Sequence, residues 1–279
     1  MSGQAVPVEV QEGFSKVLED IRPGVGSSPE KLSLACAALT MLAARPNSHI
    51  FPLQDSISAL RQLLDDEHTL VQANSFAAMT AVCEASDPAW RVASSSDVAA
   101  KTVDMLRHSL DDSLILNMLT ILGALAEPGD PGLRAVIRAG GIEACQRYAT
   151  EGQQPPVQEA ALDAICRMAA VPASRPFLSE KGVAETLGLV LGQAGASMDI
   201  KVRALMALAM LLGGSQTNQK KVASMPAAVA GLAVLMRQND DEDARQVSST
   251  IFAELVKAPE TKHIMIESMQ ITQESAAKR

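Results

Sequence analysis

A block of mostly apolar residues recurs along this chain about every 43 residues. The six copies read CAALTMLA (36–43), FAAMTAVC (76–83), LTILGALA (119–126), LDAICRMA (162–169), LMALAMLL (205–212) and STIFAELV (249–256). One equivalent position in each block, called the anchor below, is Leu42, Val82, Leu125, Met168, Leu211 and Leu255. Successive anchors are 40, 43, 43, 43 and 44 residues apart. A period of roughly 40–47 residues predicts stacked helical repeats that share one continuous core.

Helix-stopping residues follow the blocks at regular places. A proline stands 4 to 6 residues after five of the anchors, at Pro46, Pro88, Pro131, Pro172 and Pro259. Gly213–Gly214 replaces it in the remaining repeat, and either signal ends a helix. The pattern after each stop predicts a short first helix, a longer second helix and an apolar third helix that carries the anchor. No segment alternates polar and apolar residues as a strand does, so no sheet is expected.

Glycines mark the corner between the first and second helices. The segments RAGGIEA (138–144) and SEKGVAE (179–185), together with the A-x-x-x-L-x-x-L/M-A spacing of Ala35 to Ala43 and Ala161 to Ala169, resemble the armadillo-repeat family over about residues 14–268. HEAT repeats have a similar length but two helices, so the glycine corner favours armadillo. The resemblance implies an all-α, right-handed solenoid of about six repeats. Gly140–Gly141 and Gly182 are expected to supply backbone with φ > 0.

The domain boundaries and helix starts are predicted from composition. Residues 1–10 are expected to be disordered, residues 11–270 to form the solenoid, and residues 271–279 to be a polar tail. Aspartates precede several predicted helices, where a carboxylate can accept orphan N–H bonds. The predicted capping residues are Asp66, Asp112, Asp199 and Asp241 for third helices and Asp97 for a second helix. This capping explains the acidic clusters at 65–68 and 240–243 better than a metal site does.

Charge and cysteine usage narrow the function classes. The net charge of −8 and pI near 5.1 argue against a nucleic-acid or anionic-membrane partner. No apolar run reaches the roughly 18–20 residues that span a bilayer, and the N-terminus lacks the features of a signal peptide. The four cysteines, at 36, 83, 145 and 166, lie inside the apolar helical pattern without a CxxC pair. Buried thiols and a cytoplasmic location, with the nucleus as an alternative, are therefore expected.

Catalytic patterns are absent from the sequence. The four histidines have no HExxH spacing, and there is no nucleophile elbow, phosphate loop or dinucleotide fingerprint. We therefore expect no enzyme activity, no cofactor and no metal site. Trp90, the one tryptophan, is expected to pack between repeats rather than to contact a partner. Asp163 and Arg167 stand at i, i+4 on one helix, where a surface ion pair is expected.

The third helices carry the predicted binding residues. The resemblance implies that these helices line a concave groove. Residues one, five and eight before each anchor should face outward, because spacings of three and four share a helix face. The Trp/Asn ladder of the importin-α and β-catenin branches is missing, so a nuclear-localisation-signal receptor is not expected. The candidate partner-binding residues are Asn74, Asn117, Asp163, Arg167, Arg203, Met206, Met210 and Glu254.

Two functions remain open from the sequence. An apolar, Met-containing groove suits a peptide, a helix or another subunit's surface. This reading predicts a non-catalytic adaptor or scaffold, held as a subunit of a larger assembly. Armadillo nucleotide-exchange factors of heat-shock ATPases have about this length, so a chaperone regulator is the alternative. A third reading is that the small residues only permit tight curvature between the helices.

Overall fold

The described part of the chain is helical. The computed structural model describes residues 8–22, 28–150, 153–238 and 242–277 and contains no strand within those ranges. All six predicted third helices are present. They are α2 (Pro29–Ala43), α4 (Thr69–Ala85), α7 (Asp112–Ala126), α10 (Pro155–Ala170), α13 (Met198–Leu212) and α16 (Glu242–Lys257).

Shorter helices precede each third helix in the predicted order. These are α1 (Val8–Asp20), α3 (Ile57–Leu63), α5 (Asp87–Ser95), α6 (Val98–His108), α8 (Gly132–Ala139), α9 (Gly141–Ala149), α11 (Arg175–Glu180), α12 (Val183–Gly192), α14 (Gln216–Ala223) and α15 (Pro226–Gln238). Turns of 3₁₀ helix at Ser48–Ile50 and Leu53–Ser56 take the place of the first helix before α3, and another at Pro172–Ser174 leads into α11. A last helix, α17 (Pro259–Ala277), follows α16.

The ends of the chain are more helical than the sequence indicates. Val8–Val10 belong to α1, although they fall in the segment expected to be disordered, and residues 1–7 lie outside the described residues. Helix α17 continues to Ala277, through most of the segment expected to be a polar tail. Three further stretches, 23–27, 151–152 and 239–241, also lie outside the described residues, and the predicted cap Asp241 is among them.

The chain forms two compact units, residues 1–141 and 142–279. In the first unit, α2 packs beside α4 and α4 beside α7. The buried side chains between them include Met79 and Met118, as expected for a core with few aromatic residues. Trp90 is 3% exposed and donates its indole N–H to the Leu125 carbonyl at 2.9 Å. Its predicted place in the core is confirmed.

The second unit repeats this layering with its own helices. Third helices α10, α13 and α16 lie side by side, while second helix α12 packs against both α13 and α15. Leu208 on α13 and Met168 on α10 are fully buried. Met265 on α17 is buried as well, whereas His263 points to solvent beside Glu267. Helix α17 contacts α14, α15 and α16, so it covers apolar surface at this end of the array.

Side-chain caps are present, but mostly not at the predicted aspartates. Ser28, Asp111 and Ser197 accept the N–H of the residue three positions later, at the starts of α2, α7 and α13. The predicted caps Asp112 and Asp199 stand one and two residues inside their helices, where a negative charge still favours the N-terminus of the helix dipole.

Asp66 and Asp97 also differ from the prediction. Asp66 accepts the backbone N–H of His68 at 2.8 Å, in the turn before α4. Asp97 holds the N-cap position of α6 but forms no side-chain cap bond there. Its carboxylate is bound instead to Arg61 of α3 by two hydrogen bonds of 2.6 Å.

The glycine corners have the predicted left-handed backbone, with one correction. Gly140 and Gly182 have φ of +84° and +74°, which glycine adopts without the penalty that a Cβ imposes. Gly141 was expected to share this conformation but is the first residue of α9 with no positive φ. Its constraint is steric, because a Cβ there would lie 2.5 Å from Cγ1 of Val136.

Polar side chains connect neighbouring repeats at a separation of one repeat. Arg61 and Lys101 form one such cluster with Asp65 and Asp97, across α3 and α6. Lys181 pairs with Glu143 at 2.6 Å in the second unit. Two further links of this kind, in the same unit, are Lys221 with Glu185 at 2.6 Å and Gln158 with Gln193 at 3.1 Å. These contacts fix the register of second helices against other elements of the neighbouring repeat. The partner is a second helix for α3 with α6, a first helix for α9 with α11 and for α12 with α14, and a third helix for α12 with α10.

The cluster around Arg61 predicts a pH-dependent contribution to stability. Hydrogen bonds from Lys101 and Arg61 hold the pKa of Asp65 below its ordinary value, and those from Arg61 do the same for Asp97. A carboxyl with a depressed folded pKa stabilises the fold above its unfolded pKa near 4, and the effect disappears as the pH falls through the folded value. Arg61→Gln should therefore destabilise by up to about 1 kcal/mol at neutral pH and progressively less as the pH falls below about 4.

Urea unfolding followed by circular dichroism, at neutral pH and again below about pH 4, measures the stability that Arg61→Gln loses at each pH. Arg91→Gln is the matched control, since Arg91 forms only an exposed i, i+4 pair with Asp87 and should change stability less. An Arg61→Gln deficit that is as large in acid as at neutral pH would show that the carboxylates do not carry the effect.

Candidate functional site

The third-helix face of the second unit is the surface that the sequence singled out. It consists of the residues one, five and eight before the anchors on α10, α13 and α16. None of its nine members is buried, which confirms the predicted register there. They are Ala160, Asp163, Arg167, Arg203, Met206, Met210, Val247, Thr250 and Glu254. The register explains this, because Leu208, two residues after Met206, points to the opposite side of α13 and is fully buried.

A charge cluster joins α10 to α13 on this face. Arg203 forms an ion pair with Asp163 and lies 3.8 Å from a carboxylate oxygen of Glu159. The backbone carbonyl of Arg203 also accepts from the Cys166 thiol at 3.2 Å. Asp163 therefore pairs between helices, with Arg203, and not simply along its own helix. Arg167 lies half-buried on α10.

Sequence reasoning missed Glu159 because it falls outside the three outward rows. It stands four residues before Asp163 on α10, and that spacing places both carboxylates on one side of the helix. This i, i+4 spacing was the signal in the sequence that could have identified Glu159. Two carboxylates opposite one guanidinium hold Arg203 in place without using all five of its N–H donors.

Two methionines continue the face along α13. Met206 is 49% exposed and lies one turn beyond Arg203, while Met210 is half-buried one turn farther. A flexible, polarizable thioether adapts to irregular apolar partners. The arrangement is therefore an apolar strip that begins at a fixed charge cluster.

Glu254 is not gathered with the other predicted residues. Its carboxylate accepts from the Gln219 amide of α14 at 3.3 Å and lies 3.8 Å from Lys257. It borders a depression formed with Gly214 and Gln216, next to the turn between α13 and α14. Its main contacts therefore lie at this turn, away from the cluster around Arg203.

The third-helix face of the first unit is apolar rather than charged. Leu34 and Met41 on α2 are 71% and 68% exposed, and Asn74 on α4 is half-buried. Asn117 on α7 donates its amide to the Ala73 carbonyl at 3.0 Å, so it links two third helices in addition to facing outward. Ala124, predicted to face outward, is only 4% exposed. The prediction is therefore wrong at this position, because contacts with neighbouring elements bury the small side chain.

The cysteines lie where the sequence predicted. Cys36, Cys83 and Cys145 are buried free thiols, and Cys166 is half-buried. Burial alone raises the pKa of Cys145 to about 12, so this group stays protonated at neutral pH and is a poor nucleophile. Among the described residues, no three His, Cys, Asp or Glu side chains are grouped closely enough to hold a metal ion.

Within the described ranges, no helix combines the length and the apolar character needed to cross a bilayer.

Comparison with known proteins confirms the fold. Neither a protein-family model nor a curated protein matches the chain, but solved structures do. An engineered protein from a structural genomics consortium has a TM-score of 0.75 at 20% identity, over 87% of this chain and 96% of its own. A designed armadillo repeat protein has a TM-score of 0.72 at 20% identity, over 87% and 99%. Another, in complex with the peptide (KR)4, has a TM-score of 0.73 at 18% identity, over 86% and 98%.

These identities support a conclusion about fold alone. The chain has the all-α, armadillo-like repeat fold that the repeating blocks and glycine corners predicted.

Proposed function

We propose that this protein is a non-catalytic scaffold or adaptor that binds another protein through the third-helix face of its second unit. The observation that carries the proposal is Met206, a large apolar side chain left 49% exposed beside the ordered Arg203–Asp163 pair. Methionine and arginine are both enriched where protein surfaces meet. An apolar contact bordered by charges is the usual anatomy of such an interface.

The two parts of this face have different roles in the proposal. Met206 and Met210 supply apolar area whose removal from water favours binding. Arg203 is already held by Asp163 and Glu159, so little side-chain entropy is lost when its remaining donors meet a partner. The charges therefore favour orientation and partner choice, while the methionines contribute affinity.

The charge balance of the face indicates the kind of partner. Asp163 and Glu254 carry two negative charges, and Arg167 and Arg203 carry two positive ones, so the net charge of the face is zero. Glu159, which lies beside Arg203 just outside the face, adds one negative charge. A designed relative in fold was solved with the wholly basic (KR)4 peptide. Here Arg203 engages two of the carboxylates, and a polybasic peptide would have to compete with it. An amphipathic helix or a folded subunit surface with mixed charge fits this face better.

The same balance supports a protein rather than a nucleic acid as the partner. The chain has net charge −8, and nucleic-acid binding depends on clustered Lys and Arg. We place the protein in a reducing compartment, the cytoplasm or nucleus, because all four of its cysteines are free thiols.

Removing the exposed methionine should weaken partner binding without loss of fold. In co-purification from cells followed by mass spectrometry, Met206→Asp should recover the main partner at least fivefold less well than the wild type, because it places a charge in the apolar contact. Ile266→Asp on α17 is the matched control, since Ile266 is 42% exposed and lies on a different helix.

The identity of the partner separates the two candidate functions. The scaffold is supported if a multi-subunit complex co-purifies with the wild type and with Ile266→Asp but not with Met206→Asp. A heat-shock ATPase as the main partner would favour the chaperone regulator. Equal recovery by Met206→Asp and wild type, with helicity unchanged, would remove the third-helix face of the second unit from the binding site.

A further inference from the structure

A surface depression in the first unit has features of an oxyanion site and contains no residue of a third helix. Its volume is about 600 Å³, within the range of pockets that hold ligand-sized molecules. It lies between the end of α5, the first turn of α6 and one side of α8. The lining residues that supply hydrogen-bond donors, charge or space for a ligand are Ser94, Ser95, Ala99, Ala100, Arg134 and Arg138.

The first wall is a helix N-terminus whose capping side chain is engaged elsewhere. Asp97 occupies the N-cap of α6, but its carboxylate forms two 2.6 Å bonds with Arg61 and none with the helix. The first-turn residues Ala99 and Ala100 line the depression. The N–H of Val98 already donates to Ser96 Oγ at 3.3 Å, so the N–H groups of Ala99 and Ala100 are those that can bind a ligand. First-turn N–H groups have no partner within a helix, and together with the helix dipole they attract anions. Arg61 also offsets the charge of Asp97, which would otherwise repel an anion.

The opposite wall is basic. Arg134 on α8 is held by Asp130 through bonds of 2.9 and 2.5 Å. Arg138 lies one turn farther along α8 and forms no hydrogen bond or ion pair within the part of the chain that the structure describes. Hydrogen bonding to Arg134, and more weakly the charge of Arg138, hold the pKa of Asp130 below its ordinary value. The wall carries two guanidinium groups and one carboxylate, so its net charge is +1, although the whole chain has a net charge of −8.

A buried hydroxyl completes the set. Ser94 at the end of α5 is 4% exposed, and its Oγ has no hydrogen-bond partner among the described residues. A buried polar group without a partner costs free energy, so it points to a polar ligand or water that the chain itself does not supply. Ser95, next to it, is exposed at the rim. The alanines of both walls, including Ala100 and Ala135, leave room for a ligand to approach the backbone.

We propose that this depression binds a phosphorylated serine or threonine side chain of a protein partner. Its three donor types, the first-turn N–H groups of α6, the Arg138 guanidinium and the hydroxyls of α5, suit the several oxygens of a phosphate monoester. The depression is larger than a phosphate group, so the adjoining peptide lies in it too. The site is distinct from the third-helix face, and its existence does not depend on the proposed scaffold function.

Nuclear magnetic resonance of the ¹⁵N-labelled full chain tests this site directly. The probe is a five-residue peptide, acetyl-Ala-Gly-phosphoserine-Gly-Ala-amide, titrated beside its Ser and Glu versions. The phosphopeptide should shift the amide signals of Ala99 and Ala100 with saturation, at a dissociation constant on the order of 1 mM for so short a probe. The Ser peptide should leave both signals in place. If the Glu peptide shifted the same signals with the same affinity as the phosphopeptide, the assignment to phosphate would be overturned, and the site would be one for acidic side chains in general.

Two variants and a control separate the site from a general charge effect. Arg138→Ala should weaken phosphopeptide binding about tenfold, because it removes one charge-assisted contact. Ala100→Asp should abolish binding while keeping α6 intact, since an acidic residue in the first turn favours the helix but repels the ligand. Arg107→Ala, an exposed arginine of α6 outside the depression, should bind as the wild type does. No shift at Ala99 and Ala100, or unchanged binding in Arg138→Ala, would overturn the proposal.

Discussion

Replacing Leu208 with aspartate should destabilise the second unit by several kcal/mol. Leu208 is fully buried on α13, which packs against α10, α12 and α16. The substitution removes a large apolar side chain from the core and places a carboxylate there without a partner. Since domains are stable by about 5–15 kcal/mol in total, this loss approaches complete unfolding. Urea unfolding followed by far-ultraviolet circular dichroism measures the change.

Met206→Asp is the matched control for Leu208→Asp. The same residue type is introduced on the same helix, two positions earlier, where the side chain is 49% exposed. Its effect should stay within about 0.5 kcal/mol, as for other surface substitutions. Similar losses at both positions would mean that the inward and outward faces of α13 are wrongly assigned.

Gly231→Ala should destabilise the protein by about 1–3 kcal/mol, although alanine favours helices over glycine by about 1 kcal/mol. Gly231 lies on α15, and a Cβ there would stand 2.2 Å from the Leu191 carbonyl oxygen on α12. That contact involves backbone, so the two helices would have to separate. Stability is again measured by urea unfolding.

Gly13→Ala, the same type of substitution on α1, is expected to stabilise the protein instead. Gly13 lies in the middle of α1, and a Cβ there would meet nothing within 4 Å. Helix propensity alone then applies, and the variant should be more stable by about 0.5–1 kcal/mol. Stabilisation by both substitutions would show that α12 and α15 do not approach as closely as described.

The repeat pattern predicted the fold well because it reports burial at many positions at once. Every third helix appears where the anchors place it, and the outward residues of α13 and the inward Leu208 follow from the helical period alone. Ala124 shows the limit. It is 4% exposed because of the way neighbouring elements pack around α7, and a period within one helix carries no information about such packing.

Contacts between repeats were the part that the sequence could not provide. Asp97 precedes a helix and resembles a cap, but Arg61 lies 36 residues earlier and reaches it across the repeat interface. Which residue of the neighbouring repeat lies opposite Asp97 depends on how far the helices are shifted along one another, and the repeat pattern does not give that shift. The same holds for the depression near Arg138, since α5, α6 and α8 form it only after packing.

Site-specific photo-crosslinking tests the proposed binding face most directly. Benzoylphenylalanine is placed at Met206 in one variant and at Ile266 in another, two positions of similar exposure on α13 and α17. On irradiation in cells, the variant at position 206 should form a covalent adduct with one predominant protein, and the variant at position 266 should not. An adduct at position 266 without one at position 206, or none at either, would contradict binding through the third-helix face of the second unit.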